Sequence, residues 1–282
     1  MLKRILFILI YLFTWVVFFE IARIYFLFST WEYASGVPGS LILQSLWFGL
    51  KMDLSMASYF TIPVCLFVML GLIIPAFRKK GVYVIYTWVI LFIQLLLVVT
   101  DAEIYKAWGS RIDFTPVKYI SNPKEMWASI SHLPVFWILL ALIIVYLLFC
   151  WAFKKVISKT ISLLQHTKLK LIQSVLILVL MGSLIIPIRG GFQLSPLNQS
   201  SVFFCNNQYA NNAAINASWN FMYAVTLMNQ LKGNPYEFMN QSDAENFVNA
   251  LYNQQSNTEQ VINVSDAVKP NIIIIKIGRA HV

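Results

Sequence analysis

Residues 171–188, LIQSVLILVLMGSLIIPI, are followed directly by residues 189–200, RGGFQLSPLNQS. A helix needs about 20 apolar residues to cross the hydrocarbon core of a bilayer, and the first of these stretches comes close to that length. No comparable stretch comes after it. We therefore expect a membrane domain that ends near Ile188, with a polar segment of different character behind it.

Four more apolar stretches precede this one, at Ile5–Phe28, Leu54–Ile74, Val82–Thr100 and Pro134–Phe153. The whole chain has 282 residues, of which 59% are hydrophobic and only 12% are charged, whereas soluble domains carry about 25% charged residues. The first stretch is too long for a cleaved signal peptide, so we interpret it as a retained anchor. The predicted fold is an all-α polytopic membrane domain of five transmembrane helices over residues 1–188.

The basic residues predict the orientation of these spans, because Lys and Arg accumulate on the cytoplasmic side. Ten of the 21 basic residues lie at positions 3–4, 78–80 and 154–170, which all fall on one side. The opposite loops are 29–40, without Lys or Arg, and 101–133, with four basic and four acidic residues. We expect a cytoplasmic amino terminus and an extracytoplasmic segment after Ile188. These ten basic residues are enough to account for the +9 net charge. The sequence has no basic surface with interspersed aromatic residues that would indicate a nucleic-acid partner.

Ionisable residues near a span are costly and are therefore candidates for function. Glu20 and Arg23 share a helix face, and structural pairing is the favoured interpretation. Lys51 and Asp53 lie between the apolar run 41–50 and the second span. We favour a snorkelling lysine beside a helix N-cap aspartate, and the alternative is a lipid-headgroup site at the point where a short amphipathic helix turns into the membrane.

Arg189, followed by Gly190 and Gly191, also has two interpretations. We favour a residue that merely ends the span, and the alternative is a residue that contacts lipid phosphate. The possible lipid-headgroup contacts are thus Lys51, Asp53 and Arg189. The three cysteines form no disulfide framework and no metal-ligand spacing. We assign no catalytic residue and no metal ligand in this sequence.

Residues 189–268 are predicted to form an extracytoplasmic juxtamembrane linker with amphipathic helices. The first helix is indicated by apolar residues at helical spacing, Trp219, Met222, Tyr223, Thr226 and Leu227, and is typical of an interfacial or docking helix. The second is indicated by a capping box formed by Ser242 and Glu245.

A Pro-bounded run of isoleucines, Ile272–Ile275, predicts a strand buried on both faces of a parallel sheet. One strand cannot stand alone, so we interpret residues 269–275 as the first strand of a truncated α/β domain. Residues 277–282 can be encoded by ATC GGA AGA GCA CAC GTC, which resembles a common sequencing-library adapter, and the preceding AG would complete the Lys276 codon. We expect residues 276–282 not to belong to the native protein.

Several stretches together resemble the lipoteichoic-acid-synthase-like family of phosphoglycerol transferases, in the alkaline phosphatase/sulfatase superfamily. They are Gly49-Leu50-Lys51-Met52-Asp53-Leu54-Ser55, Asp101-Ala102-Glu103-Ile104-Tyr105, Pro187-Ile188-Arg189-Gly190-Gly191 running to Pro196-Leu197-Asn198, and the final strand. The similarity is to the membrane portion that precedes the catalytic domain of such proteins.

This resemblance implies a multi-pass protein of the bacterial cytoplasmic membrane whose complete form transfers phosphoglycerol from a phosphatidylglycerol-type lipid. It implies Mn or Mg and a threonine nucleophile in the complete enzyme. The first metal-ligating acid is expected directly after Ile275, where this sequence has Lys276, so the fragment itself should be inactive and hold no cofactor. The alternatives are a phosphoethanolamine transferase or sulfatase of the same superfamily, or a non-enzymatic five-span transport or scaffold subunit. The oligomeric state is left open.

Overall fold

The computed structural model describes residues 2–120, 122–131, 133–164, 170–230 and 238–252. The chain divides into one unit over residues 1–230 and a second over residues 231–282. The predicted strand 269–275 and the adapter-like residues 276–282 lie outside the described part of the chain.

The described residues form helices joined by turns and no strand. The α-helices are α1 (Leu2–Ser29), α2 (Gly39–Leu70), α3 (Lys80–Trp108), α4 (Thr115–Ile120), α5 (Pro123–Ile130), α6 (Val135–Thr160), α7 (Lys170–Ser183), α8 (Ile185–Arg189), α9 (Gln208–Ala214), α10 (Ala217–Gln230) and α11 (Gln241–Tyr252). Short 3₁₀ helices occur at Trp31–Ala34, Pro75–Arg78, Ile161–Leu164 and Gln199–Val202.

Five segments are long and apolar enough to cross a membrane: Lys3–Ser29, Gly39–Leu70, Lys80–Trp108, Val135–Leu164 and Leu171–Arg189. This confirms the predicted all-α domain and the number of candidate spans within the described residues.

The second span differs from its prediction. Helix α2 runs without a break from Gly39 to Leu70, so the apolar run 41–50 and the span proper form one helix. Asp53 lies well inside this helix, and its interpretation as an N-cap is therefore wrong. The helix tolerates a buried carboxylate at this position because the charge is paired with that of Arg23.

Helix α1 packs along α2, and α3 packs along α6. Aromatic rings fill the space between them: the ring of Trp15 on α1 lies 5.3 Å from that of Phe18 and 4.9 Å from those of Phe60 on α2 and Phe153 on α6. Most large side chains of α6 face away from the bundle, as expected for a helix with one side packed on α3 and the other side facing lipid.

The fifth span is interrupted at Leu184, between α7 and α8. Pro187 explains the break, because it has no N–H to donate to the carbonyl of Ser183 one turn earlier. Helix α8 remains attached to the bundle through Ser55, whose hydroxyl donates to the Ile188 carbonyl at 3.0 Å. The span then ends at Gly190, which has a left-handed backbone conformation with φ of 84°.

The segment after the spans folds back onto the bundle. Helix α9 packs against α2, and α10 packs against α3 and α2. Helix α10 lies where the apolar spacing predicts an interfacial or docking helix, and its Trp219 is almost fully buried. In the second unit, a helix is present where the second one was predicted, but α11 begins at Gln241, so Ser242 lies inside the helix and the predicted capping box is wrong.

The loop between the third and fourth spans, residues 101–133, is partly helical. Helix α3 extends to Trp108 and is followed by α4 and α5. Tyr105 is buried, whereas Trp108 and Trp127 are exposed. The loop therefore contributes one aromatic residue to the packed end of the bundle and exposes two others.

Candidate functional site: a buried ion-pair cluster and an exposed basic pair

Charged residues of the spans lie at two levels. At one end, Arg4 donates to the carbonyls of Val68 and Leu164 at 3.5 and 3.3 Å. Arg23 lies 19 residues further along the same helix, which corresponds to about 28 Å at about 1.5 Å per residue. That distance matches the roughly 30 Å thickness of the hydrocarbon core. Arg23 therefore marks the opposite end of the bundle.

Arg23 and Asp53 form the centre of this second level. The guanidinium of Arg23 on α1 donates twice to the Asp53 carboxylate on α2, from Nη1 to Oδ2 and from Nη2 to Oδ1, each at 2.7 Å. Their side chains are 3% and 0% exposed. Nη1 also lies 2.6 Å from Glu20 Oε1, which confirms the predicted Glu20–Arg23 pair. The bidentate geometry fixes α1 against α2.

Gly49 leaves the space that the Arg23 side chain occupies. A Cβ atom at Gly49 would overlap the guanidinium group. Gly49 is one helical turn before Asp53, so α2 provides both the carboxylate and the gap through which Arg23 reaches it.

A second buried pair, Asp101 and Arg111, connects the end of α3 to the loop that follows it. Arg111 Nη2 lies 2.9 Å from Asp101 Oδ2, and the Ile112 N–H donates to Asp101 Oδ1 at 2.8 Å. The guanidinium carbon also lies 4.0 Å from the centre of the Phe26 ring. Burial lowers the pKa of Arg111, and the Asp101 carboxylate opposes this effect. The guanidinium nevertheless keeps its charge, because arginine is always protonated in proteins.

Both arginines also bind the segment after the spans. Arg23 donates from Nε to the Ala213 carbonyl at 3.1 Å and from Nη2 to the Ala214 carbonyl at 3.4 Å. Arg111 donates to the Ile215 carbonyl at 2.8 Å. These carbonyls lie at the carboxyl end of α9, where helical carbonyls have no intrahelical donor and the helix dipole favours a cation.

Asn216 completes this contact by donating from Nδ2 to Asp53 Oδ1 at 2.8 Å. We call Glu20, Arg23, Asp53, Asp101, Arg111 and Asn216 the ion-pair cluster. It joins four parts of the chain, α1, α2, the end of α3 with its following loop, and the α9–α10 connection.

Other asparagines of this segment also form structural hydrogen bonds. Asn207 caps α9 by accepting from the Ala210 N–H at 2.9 Å, and Asn211 accepts from the Phe204 N–H at 3.0 Å. Asn212 donates to the Tyr105 hydroxyl at 3.2 Å, and Asn220 donates to the Ile112 carbonyl at 2.7 Å. The Asn-rich composition therefore supplies hydrogen bonds to turns and to the bundle.

A small cavity of about 20 Å³ lies inside the ion-pair cluster and is lined in part by Asp101, Arg111 and Ser218. Its volume corresponds to about one water molecule. Asp53 and Asp101 each bond to an arginine and to at least one other donor, and both are shielded from solvent. Carboxylates saturated in this way are typical of a structural cluster that fixes helices rather than of a reaction centre.

No family model, curated protein or solved structure matches this chain.

The three residues considered as lipid-headgroup contacts fall into two groups. Asp53 is fully buried in the ion-pair cluster, so we exclude it from that set. Lys51 and Arg189 instead approach the same loop: Lys51 Nζ lies 3.4 Å from Gln193 Oε1, and Arg189 Nη2 donates to the Leu194 carbonyl at 2.8 Å. We call Lys51 and Arg189 the basic pair.

The loop 189–197, which contacts both residues of the basic pair, is held in a tight conformation. The Leu197 N–H donates to the Arg189 carbonyl at 3.0 Å. A Cβ atom at Gly190 would lie 2.8 Å from the Leu197 side chain and 3.3 Å from the Cε of Lys51. Close approach of the loop to Lys51 thus depends on glycine at this position.

Sequence reasoning did not find the Arg23–Asp53 and Asp101–Arg111 pairs. A signal for them was present, since ionisable residues near the same end of apolar spans require partners of opposite charge. The partner of each residue could not be predicted from the sequence, because the sequence does not show which helices are neighbours.

Proposed function

We propose that this chain is the membrane-anchoring, amino-terminal part of a phosphoglycerol transferase of the lipoteichoic-acid-synthase-like type, which acts on membrane phospholipid outside the bacterial cytoplasmic membrane. In this proposal the amino terminus is cytoplasmic and the segment after Arg189 is extracytoplasmic. The bundle itself performs no chemistry. It holds the segment after the last span in a fixed position at the outer surface.

The observation that carries the proposal is the attachment of the α9–α10 connection to the ion-pair cluster. A simple anchor needs no specific contact with the segment after its last span. Here the carbonyls of Ala213, Ala214 and Ile215 are bound by two buried arginines. An enzyme needs a rigid connection of this kind if its catalytic domain must meet a lipid headgroup at a defined height above the bilayer.

The proposed orientation is supported by the distribution of basic residues. Lys3, the 78–80 cluster and the lysines at 154–159 belong to the end of the bundle marked by Arg4. By the positive-inside rule, this distribution supports a cytoplasmic location for that end.

The ion-pair cluster does not fit a divalent metal. Each carboxylate in it is paired with a buried arginine, and an arginine that already binds the carboxylate competes with a cation for the same oxygens. In the proposed complete enzyme, Mn or Mg is bound by residues after Ile275. No step of the transfer reaction is assigned to residues of this chain.

The decisive experiment is to determine the uninterrupted coding sequence past Ile275 from genomic DNA. The proposal expects an acidic residue directly after Ile275, then a downstream threonine and an Asp-His pair. The complete protein, purified with Mn or Mg, should then release diacylglycerol from phosphatidylglycerol. A continuation without these residues, or a complete protein with no turnover of any phospholipid or sulfate ester, would instead favour a transport or scaffold subunit.

A further inference from the structure

The basic pair places two positive charges at one loop, and Asp53, the acid two residues from Lys51, is already paired with Arg23. Lys51 and Arg189 come from distant parts of the sequence and meet at one loop through Gln193 and Leu194. Within the described ranges, the salt bridges of the protein involve other residues, and neither member of the basic pair has a carboxylate partner. Two cations that contact adjacent residues of one loop favour an anionic ligand.

The surroundings of the basic pair are apolar and exposed. Phe192 and Leu194, on either side of Gln193, are 90% and 96% exposed. On α2, Trp47 precedes Lys51 by one turn, lies on the same face, and is 72% exposed. Exposed rings and aliphatic side chains beside cations are typical of the headgroup layer of a membrane, where each finds a suitable environment.

The height of the basic pair agrees with this location. Arg189 ends the fifth candidate span, Leu171–Arg189. Lys51 is two residues from Asp53, whose partner Arg23 marks the end of the hydrocarbon core on α1. Both cations therefore lie at the boundary between hydrocarbon and headgroups on the side opposite Arg4.

We propose that Lys51 and Arg189 bind the phosphate of one phospholipid of the outer leaflet, as a fixed contact that seats the loop 189–197 on the membrane. The ligand is recognised by its phosphate and its acyl chains, and it is a positioning lipid rather than the reacting donor. This inference uses only the membrane placement and orientation included in the proposed function, and does not depend on any transferase activity.

The test is native mass spectrometry of the purified chain with phosphatidylglycerol, phosphatidic acid and diacylglycerol of identical acyl chains. We expect the two phosphate-bearing lipids to bind comparably and diacylglycerol to bind much more weakly. Lys51→Gln and Arg189→Gln should each weaken phosphatidylglycerol binding about fivefold, and the double variant about thirtyfold, because each cation near a membrane surface contributes a similar increment. Lys124→Gln is the matched control, since Lys124 is exposed on α5 and should leave binding unchanged.

Several outcomes would overturn the inference. Equal binding of diacylglycerol and phosphatidylglycerol by the unaltered chain would show that phosphate is not recognised, and this comparison requires no variant to fold. Full binding by the double variant would place the lipid elsewhere. Displacement of the lipid by an equal concentration of glycerol 3-phosphate would show that the site takes soluble phosphate esters. A continuation past Ile275 without transferase residues would refute the proposed function but leave this measurement unaffected.

Discussion

At the scale of single residues, the strongest interaction in the described structure is the bidentate contact between Arg23 and Asp53. Both side chains are buried, so removing one leaves the other as an uncompensated charge. We predict that Asp53→Ala lowers the free energy of unfolding by about 3–5 kcal/mol. Thermal unfolding in detergent, followed by tryptophan fluorescence, measures this effect.

Two further variants distinguish loss of charge pairing from loss of packing. The double variant Arg23→Met with Asp53→Leu removes both charges, and should recover a large part of the lost stability. Glu20→Gln should cost less than about 1 kcal/mol, because Glu20 is partly exposed. An equal loss of stability in all three variants would contradict the central role of the Arg23–Asp53 contact.

Gly49 provides an independent test of the same contact without changing any charge. A Cβ atom at this position overlaps the Arg23 guanidinium, so Gly49→Ala must displace Arg23 or bend α2. We predict destabilisation of about 1–3 kcal/mol, the usual cost of overpacking. Gly182→Ala on α7 is the matched control, because its Cβ would meet no atom within 4 Å. It should be neutral or slightly stabilising, since alanine favours a helix, and thermal unfolding of the two variants in parallel gives the comparison.

At the scale of elements, docking of α9 depends on small side chains. Ala210, Ala213 and Ala214 are fully buried where α9 packs on α2, which brings the carbonyls at the end of α9 within reach of Arg23. We predict that Ala213→Leu separates the two helices and exposes the segment after Arg189 to limited proteolysis. Gln208→Leu adds a leucine to the exposed side of the same helix and should leave the digestion pattern unchanged. Equal resistance of the two variants would show that α9 is not held by this packing.

The sequence predicted elements better than it predicted their relations. The five spans followed from apolar length, and the docking helix followed from Trp219 and the spacing after it. The continuity of α2 through Lys51 and Asp53 could not be predicted, since two charged residues beside an apolar run normally mark a helix end. Only the position of Arg23 across the helix interface makes Asp53 compatible with a buried helix interior. The Asn-rich stretch had no interpretable periodicity because its side chains serve separate turns.

At the scale of the whole unit 1–230, charges define two planes separated by apolar helices. Arg4 with its two carbonyl partners lies at one plane, and the ion-pair cluster lies at the other. Between them the buried side chains are predominantly apolar and aromatic. The spacing of the two planes matches the thickness of a bilayer core, and five crossings, the number of candidate spans among the described residues, would put the two ends of the unit on opposite sides.

This arrangement predicts the sidedness of individual positions. In a chain whose native cysteines, Cys65, Cys150 and Cys205, are replaced by serine, we introduce Lys124→Cys or Lys159→Cys, both at exposed positions. A membrane-impermeant maleimide added to intact spheroplasts should label the variant at 124, because α5 follows the end of α3 at which Asp101 and Arg111 lie. The variant at 159 should be labelled only after permeabilisation, since it belongs to the Arg4 plane, where lysines resist translocation. The reverse pattern would place the α9–α10 connection in the cytoplasm, and both the proposed transferase role and an outer-leaflet site for the basic pair would then fail together.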